Sequence, residues 1–267
     1  MISVTNLTSY MYCPRKLYFN KVLKVYESIK ELPVKGKIKH KIFELSGRED
    51  REIIASFTEK ESLEDLEMKF RKTYYKTIML VLNMYKREMK ELKINRLEFY
   101  RELWPFFLEE AKDKSQGFFE LAKEKKVYGE KLWMVLPKAL PEVRVSSDKL
   151  GLRGIVDRVD IEEGFIPIEI KTGKAPMDGV WKNNMVQIGA YMLLLSEHYG
   201  QEIKEGYVEY VSIKEKRKVV MNEFLKDEIL DLIKEVNFVL EQEELPEKIK
   251  EEWKCDTCGI KEECFSR

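Results

Sequence analysis

The chain has 267 residues, of which 44% are hydrophobic and 36% are charged, so we expect a folded globular protein with a sizeable core. Lys plus Arg and Asp plus Glu both total 48, and this zero net charge excludes a global basic field for nucleic acid. The start of the chain has no signal-like pattern, and no window approaches about 18 uncharged apolar residues. We therefore expect a soluble, intracellular protein in the cytoplasm.

The amino-terminal half is predicted to be helical. Residues 5 to 24 are predicted as a short helical segment interrupted at Pro14, and residues 34 to 46 as a helix that carries His40. From Ser62 to about residue 126, the spacing of Leu, Met, Lys and Glu predicts two long helices divided at Pro105. The apolar positions of this block are typical of packing surfaces.

From Leu140 the periodicity becomes that of strands. Three consecutive strands are predicted at residues 142–145, 150–161 and 165–171, with a hairpin turn at Glu162, Glu163 and Gly164. They are followed by a helix over 179–199 closed by Gly200, strands near 204–213 and 217–222, and a helix over 223–242. The predicted architecture is a mixed sheet flanked by helices.

Charged side chains lie on two of the predicted central strands. Asp157 ends the run Gly154-Ile-Val-Asp, and alternation puts Glu169 and Lys171 on one face of the next strand. Two converging carboxylates hold a hard divalent cation, and an adjacent ammonium can orient water or steady charge on a phosphate. Exposed strands also carry alternating charges, but on central strands such charges are costly unless paired or metal-bound.

Two further motifs accompany this site in the sequence. Gly36-Lys-Ile-Lys-His40 places an imidazole on an upstream helix, and Gln187 and Tyr191 share one face of the later helix. Each motif alone also fits an ordinary polar helix position. Together, Gly-x-x-x-His, Gly-x-x-Asp, Glu-x-Lys and Gln-x-x-x-Tyr resemble the RecB-like branch of the PD-(D/E)xK nuclease superfamily.

This resemblance implies roles for seven residues and a hydrolytic reaction. In that family the His, Asp and Glu bind Mg²⁺ or Mn²⁺ together with the backbone carbonyl after the Glu. The implied metal ligands are His40, Asp157, Glu169 and Ile170. The implied catalytic residues are Asp157, Glu169 and Lys171, of which Lys171 would act on the attacking water. Gln187 and Tyr191 would lie beside the substrate strand. Phosphodiester hydrolysis follows from this set.

Four cysteines, Cys13, Cys255, Cys258 and Cys264, lie near the two ends of the chain. In an intracellular protein such a group indicates a metal site rather than a disulfide framework. Zinc is the default metal for four thiolates, and an iron-sulfur cluster takes four as well. The spacing of the cysteines does not decide between them.

The segment Tyr12-Cys-Pro-Arg-Lys16 and the carboxy-terminal cysteines, bracketing a RecB-like core, resemble the CRISPR-associated iron-sulfur exonucleases of spacer acquisition. The resemblance implies an α/β restriction-endonuclease-like mixed sheet, with a 4Fe-4S cluster joining the chain ends through the four cysteines. Residues 1–267 would form a single nuclease unit, with a helical insert at 48–138 and the core sheet and motif helix at 139–222. The implied activity is metal-dependent trimming of DNA ends, preferably single-stranded, in partnership with the CRISPR integrase complex.

Two alternatives stay open at this point. One is a RecB-like iron-sulfur nuclease of DNA repair or recombination, and the other is a noncatalytic DNA-binding scaffold subunit. Five basic residues are candidate phosphate contacts, although each also suits an ordinary surface position: Arg144, Arg153, Lys174, Arg217 and Lys218.

Overall fold

Residues from both ends of the chain build one unit of the structure, and the stretch between them builds another. The computed structural model describes residues 1–28, 30–161 and 164–267. Residues 1–28 and 142–267 form the sheet unit, and residues 29–141 form the helical unit.

The sheet unit starts with a two-residue strand, β1 (Ile2–Ser3), followed by helices α1 (Val4–Tyr12) and α2 (Pro14–Lys21). Pro14 begins α2, where the fixed φ of proline suits a helix and its missing N–H is not needed. Cys13 precedes it in an extended conformation and caps the helix, because its Sγ accepts a hydrogen bond from the backbone N–H of Lys16 at 3.4 Å. The predicted interruption at Pro14 is confirmed.

The helical unit contains α3 (Glu31–Ala55), α4 (Leu63–Met84), α5 (Lys86–Glu91), α6 (Arg96–Lys125) and α7 (Glu130–Val135). Apolar side chains recur on one face of each long helix and meet in a common core. Within it the rings of Tyr74 on α4 and Phe107 on α6 lie 5.4 Å apart. Lys114 and Asp50 form an ion pair of 2.7 Å between α6 and α3. The prediction that residues 62–126 are helical is confirmed.

The predicted division of this block at Pro105 is wrong. α6 continues through Pro105, because a proline removes only one backbone hydrogen bond and the buried neighbours Leu103 and Phe107 hold the helix against the core. The chain instead turns before α6, where Lys93 has a positive φ of 55° and the Asn95 side chain caps the first turn of α6.

The second part of the sheet unit contains the remaining strands and helices. They are β2 (Lys138–Ser147), which begins a few residues before the unit, β3 (Leu152–Ile161), β4 (Phe165–Lys171), α8 (Lys182–Tyr199), β5 (Glu205–Tyr210), β6 (Glu215–Val220), α9 (Glu223–Glu241), α10 (Glu252–Asp256) and α11 (Lys261–Phe265). The strands β2 to β6 and the helices α8 and α9 confirm the predictions for this part within a few residues at each end, whereas α10 and α11 were not predicted. Of the predicted hairpin turn, Glu162 and Glu163 lie outside the described residues.

In the described part of the chain, six strands form one mixed sheet. Its order is β1-β3-β4-β5-β6, and β2 pairs with β3. β1 is parallel to β3 and β4 to β5, whereas the pairs β3/β4 and β5/β6 are antiparallel. β4 therefore lies inside the sheet with a partner on each side, and the mixed α/β fold is confirmed.

Helix α8 connects the parallel strands β4 and β5 and packs on the sheet, on α1 and on α9. Most of its surface is buried, with Val186, Ile188 and Leu194 fully inaccessible. It ends at Gly200, whose φ of 64° is the left-handed conformation that glycine adopts at helix ends. A helix so enclosed holds its polar side chains in fixed positions.

Among the described residues, every helix is too short or too polar to cross a lipid bilayer.

Candidate functional site

Asp157 is held at the boundary between two antiparallel strands. The antiparallel ladder of β3 and β4 pairs Arg158 with Ile168, and Asp157 directly precedes Arg158 on β3. Its Oδ2 accepts a hydrogen bond from the backbone N–H of Ile170 at 2.7 Å. This bond fixes the Asp157 carboxylate beside the segment of β4 that carries Glu169.

Glu169 is buried, with 5% of its surface exposed, and its carboxylate is the centre of a polar network. Its Oε1 accepts hydrogen bonds from Lys171 Nζ at 2.8 Å and from Gln187 Nε2 at 2.7 Å. Lys171 Nζ also donates to Gln187 Oε1 at 2.9 Å. A carboxylate on an inner strand is costly to bury, and here an ammonium and an amide offset that cost.

Helix α8 supplies the other side of this network through residues one turn apart. Gln187 Nε2 donates to the hydroxyl of Tyr191 at 3.3 Å, and both side chains are buried. Burial raises the pKa of Tyr191 well above its usual range, and the negative charge of Glu169 adds to that effect, followed by Asp157. The phenol therefore stays protonated next to both carboxylates.

The structure thus brings together five of the predicted site residues: Asp157, Glu169, Lys171, Gln187 and Tyr191. Ile170 contributes its backbone N–H to the same place. His40 lies on α3 in the helical unit, so its predicted place beside the two carboxylates stays a prediction.

Gly154 leaves room for Tyr191. A Cβ built on Gly154 would lie 2.6 Å from Cε1 of the Tyr191 ring and 3.1 Å from a methyl group of Val4. The Gly-x-x-Asp spacing on β3 therefore has a packing reason: the ring lies directly on the strand backbone.

Replacing Gly154 with Ala is expected to lower the free energy of unfolding by roughly 1–3 kcal/mol, because the methyl group must displace the Tyr191 ring or the strand. Chemical denaturation of the purified protein measures this. Gly173→Ala is the matched control, because nothing lies within 4 Å of a Cβ there. An unfolding midpoint of Gly154→Ala equal to that of wild type would contradict the close contact.

Asn184 is a buried polar neighbour that the sequence analysis missed. It lies three residues before Gln187 on α8, and its Nδ2 donates to the hydroxyl of Tyr210 at 3.2 Å. Tyr210 is fully buried and pairs with Lys171 in the β4/β5 ladder. The i, i+3 spacing from Gln187 was the available signal. Asn184 and Tyr210 thus form a second fixed polar pair next to Lys171.

The four cysteines line one cavity of the sheet unit. Cys13 caps α2, Cys255 and Cys264 lie on α10 and α11, and Cys258 lies in the turn between these helices. All four are free thiols that are partly exposed. Burial raises the pKa of Cys13 and of Cys255, and negative charge on Cys264 and Cys258 adds to each effect, so the thiols are electrostatic neighbours.

Arg15 joins α2 to the carboxy-terminal segment, a role that its sequence position did not predict, and only 6% of its surface is exposed. Its Nε donates to Cys264 Sγ at 3.2 Å, and one terminal nitrogen donates to the carbonyl of Pro246 at 2.7 Å. The other terminal nitrogen donates to the backbone oxygens of Cys264 and Arg267. The available signal in the sequence was the position of Arg15, two residues after Cys13. A buried guanidinium thus faces the sulfur of Cys264.

Among residues 1–28, 30–161 and 164–267, no group of three or more His, Cys, Asp or Glu side chains is arranged to hold a metal ion. The carboxylate site contributes a pair of acidic side chains from the sheet unit, Asp157 and Glu169. The thiols surround a cavity, and they do not converge on a point.

Comparison with known proteins shows that residues 1–265 match the family model of the PD-(D/E)XK nuclease superfamily. A CRISPR-associated exonuclease Cas4 of Rhodospirillum rubrum is 31% identical over 127 residues, 46% of this chain and 38% of that protein. A CRISPR-associated exonuclease Cas4/endonuclease Cas1 fusion of Leptospira interrogans is 30% identical over 125 residues, 45% of this chain and 23% of the fusion. A solved structure described as SSO0001 covers 61% of this chain and 77% of its own, with 16% identity and a TM-score of 0.33.

Proposed function

The chain belongs to the PD-(D/E)XK nuclease superfamily, and on that premise we propose that it is a divalent-metal-dependent deoxyribonuclease that trims single-stranded DNA ends. The observation that carries the proposal is the network of Asp157, Glu169, Lys171 and Gln187 in the interior of the sheet unit. The similarity of the chain to Cas4 exonucleases, which the motifs predicted, supports the proposal that it is a nuclease of the CRISPR-associated type.

The oxygens of Asp157 and Glu169 fit a hard divalent cation, with the carbonyl of Ile170 and the imidazole of His40 as the further proposed ligands. Mg²⁺ or Mn²⁺ bound there would supply Lewis acidity, which makes water easier to deprotonate and offsets the charge of the scissile phosphate.

Lys171 is the residue that can act on the attacking water. An ammonium has three N–H donors, and hydrogen bonds to Glu169 and Gln187 use two of them. The Lys171 side chain is 27% exposed, so water can reach it. The third donor can therefore hold a water molecule beside the carboxylates.

Gln187 and Tyr191 would position Lys171 and the DNA strand. Gln187 accepts from Lys171 and donates to Glu169, so it fixes the relative orientation of the ammonium and the carboxylate. Tyr191 keeps its proton and can serve as a neutral hydrogen-bond group near the phosphate.

A 4Fe-4S cluster on Cys13, Cys255, Cys258 and Cys264 would join the two ends of the chain. Four thiols around one cavity support this proposal. Zinc takes four thiolates as well, and the iron, sulfide and zinc content of the purified chain distinguishes the two. The binding energy of the cluster would add to the stability of the fold.

The proposed partner is the CRISPR integrase complex. One relative carries Cas4 exonuclease and Cas1 endonuclease sequences in one polypeptide. This chain spans 23% of that fusion and 38% of the separate Cas4 protein, so association with a Cas1-type partner belongs to the proposal.

Removal of divalent metal is expected to stop cleavage. The full chain is incubated with end-labelled single-stranded DNA and matched blunt duplex in Mn²⁺, in Mg²⁺ and in EDTA, and released nucleotides are measured. We expect release with either metal, faster from the single strand, and none in EDTA because the two carboxylates then lack their cation. Release in EDTA would refute the metal mechanism, whereas DNA binding without release in Mn²⁺ would favour the noncatalytic scaffold.

A further inference from the structure

A cavity of about 470 Å³ lies within the sheet unit, next to the candidate site. Its walls come from the start of α1 and from β2 and β3, with Tyr191 of α8 as a further wall residue. The hydroxyl of Tyr191 accepts a hydrogen bond from Gln187, which in turn donates to Glu169. The cavity is therefore one side chain away from the proposed catalytic network.

Two arginines, Arg144 on β2 and Arg153 on β3, line this cavity, and among the described residues no Asp or Glu lines it. In the part of the chain that the structure describes, neither arginine forms an ion pair or a hydrogen bond with another side chain. Two other basic residues that were candidate phosphate contacts differ, because Arg217 is bound to Glu215 and Lys218 to Glu205. Two guanidinium groups thus face the cavity with their donors available.

The remaining lining adds polar and apolar contacts. The hydroxyls of Ser3 and Thr5 lie 2.7 Å apart at one wall, and the side chain of Ile155, 44% exposed, lies at another. The volume falls in the range of about 300–1,000 Å³ that is typical of small-ligand sites. Guanidinium donors match the oxygens of a phosphate in pairs, and hydroxyls bind phosphate as well.

We propose that this cavity binds a backbone phosphate of the single strand next to the one that is cleaved, with Arg144 and Arg153 as its ligands. The inference rests on the proposed nuclease function and names the part of the same site that positions the substrate. Both arginines would act as positioning residues: they hold the strand, and Lys171 and the carboxylates act on the scissile group.

The test measures binding of a short fluorescent single-stranded DNA to the full chain in EDTA at several salt concentrations, for Arg144→Gln, Arg153→Gln and the double variant. Each substitution is expected to weaken binding roughly three- to tenfold at low salt. The double variant should also reduce the salt slope of log K by about 0.7, the contribution of one phosphate contact to a single strand, and each single variant by a part of it.

Lys149→Gln is the matched control. Lys149 lies in the turn between β2 and β3, its side chain is 84% exposed, and it pairs with Glu197. It should leave the salt slope at the wild-type value. A double arginine variant with the wild-type slope would overturn the proposal, and unfolding curves confirm that the exposed substitutions keep the fold.

Two comparisons distinguish a backbone-phosphate site from a terminal-phosphate site and from failure of the proposed nuclease function. Equal losses for strands with and without a terminal phosphate support a backbone phosphate, and a loss confined to terminally phosphorylated strands would overturn that assignment. If wild type cleaves DNA and the arginine variants bind normally, the phosphate site alone is rejected. If wild type does not cleave but the arginine variants lose affinity, the phosphate site stands and the proposed nuclease function is rejected.

Discussion

Lys171→Met is expected to lower the rate of nucleotide release from single-stranded DNA in Mn²⁺ by roughly 10²–10⁴-fold while Mn²⁺ still binds. Methionine keeps the length and apolar stem of lysine but removes the three donors. Glu169 keeps its hydrogen bond from Gln187, and the carboxylates keep their oxygens for the cation. The loss would therefore fall on the chemical step and leave metal binding in place.

Asp157→Asn and Glu169→Gln should reduce the cleavage rate to a similar extent as Lys171→Met, but through weaker metal binding. Each replaces a charged oxygen ligand with a neutral amide, so Mn²⁺ affinity falls together with the rate. Calorimetric titration of Mn²⁺ separates this class from Lys171→Met. Lys182→Met is the control, because Lys182 is 69% exposed at the start of α8 and pairs with Glu228. Cleavage that survives in Lys171→Met or Asp157→Asn would remove those residues from the site.

The sequence predicted which of these side chains lie together, because strand alternation and helix periodicity are local rules. Strand alternation put Glu169 and Lys171 on one face, and the structure joins them through one hydrogen bond. The i, i+4 spacing put Gln187 and Tyr191 on one side of a helix, and they are in contact.

Features that depend on packing between distant segments escaped prediction. The helix break assigned to Pro105 was wrong because packing in the core of the helical unit keeps α6 continuous across that residue. The space for the Tyr191 ring over Gly154 and the burial of Arg15 against Cys264 arise only in the folded chain. A local pattern does not specify such contacts, since they depend on which surfaces meet.

The carboxy-terminal segment offers a second prediction with a large effect. Chain purified without oxygen is expected to be brown and to contain iron and acid-labile sulfide, and Cys258→Ser should lose both. Cys258 lies in the turn between α10 and α11, where its thiol faces the same cavity as Cys13. Serine offers a hard hydroxyl oxygen in place of a soft thiolate and binds iron less well, so one corner of the cluster would be weakened or missing.

Loss of the cluster should also loosen the junction between the chain ends. Without it, the described contacts that join α2 to the last residues include the hydrogen bonds of Arg15 to Cys264 and Arg267. Limited proteolysis should therefore cut the segment from 243 to 267 faster in Cys258→Ser than in wild type. Thr257→Ala is the matched control, since it changes the adjacent exposed residue and keeps all four thiols. Colourless wild-type protein with one zinc per chain would reject the cluster. Equal rates of proteolysis for wild type and Cys258→Ser would reject its role in holding the two chain ends together.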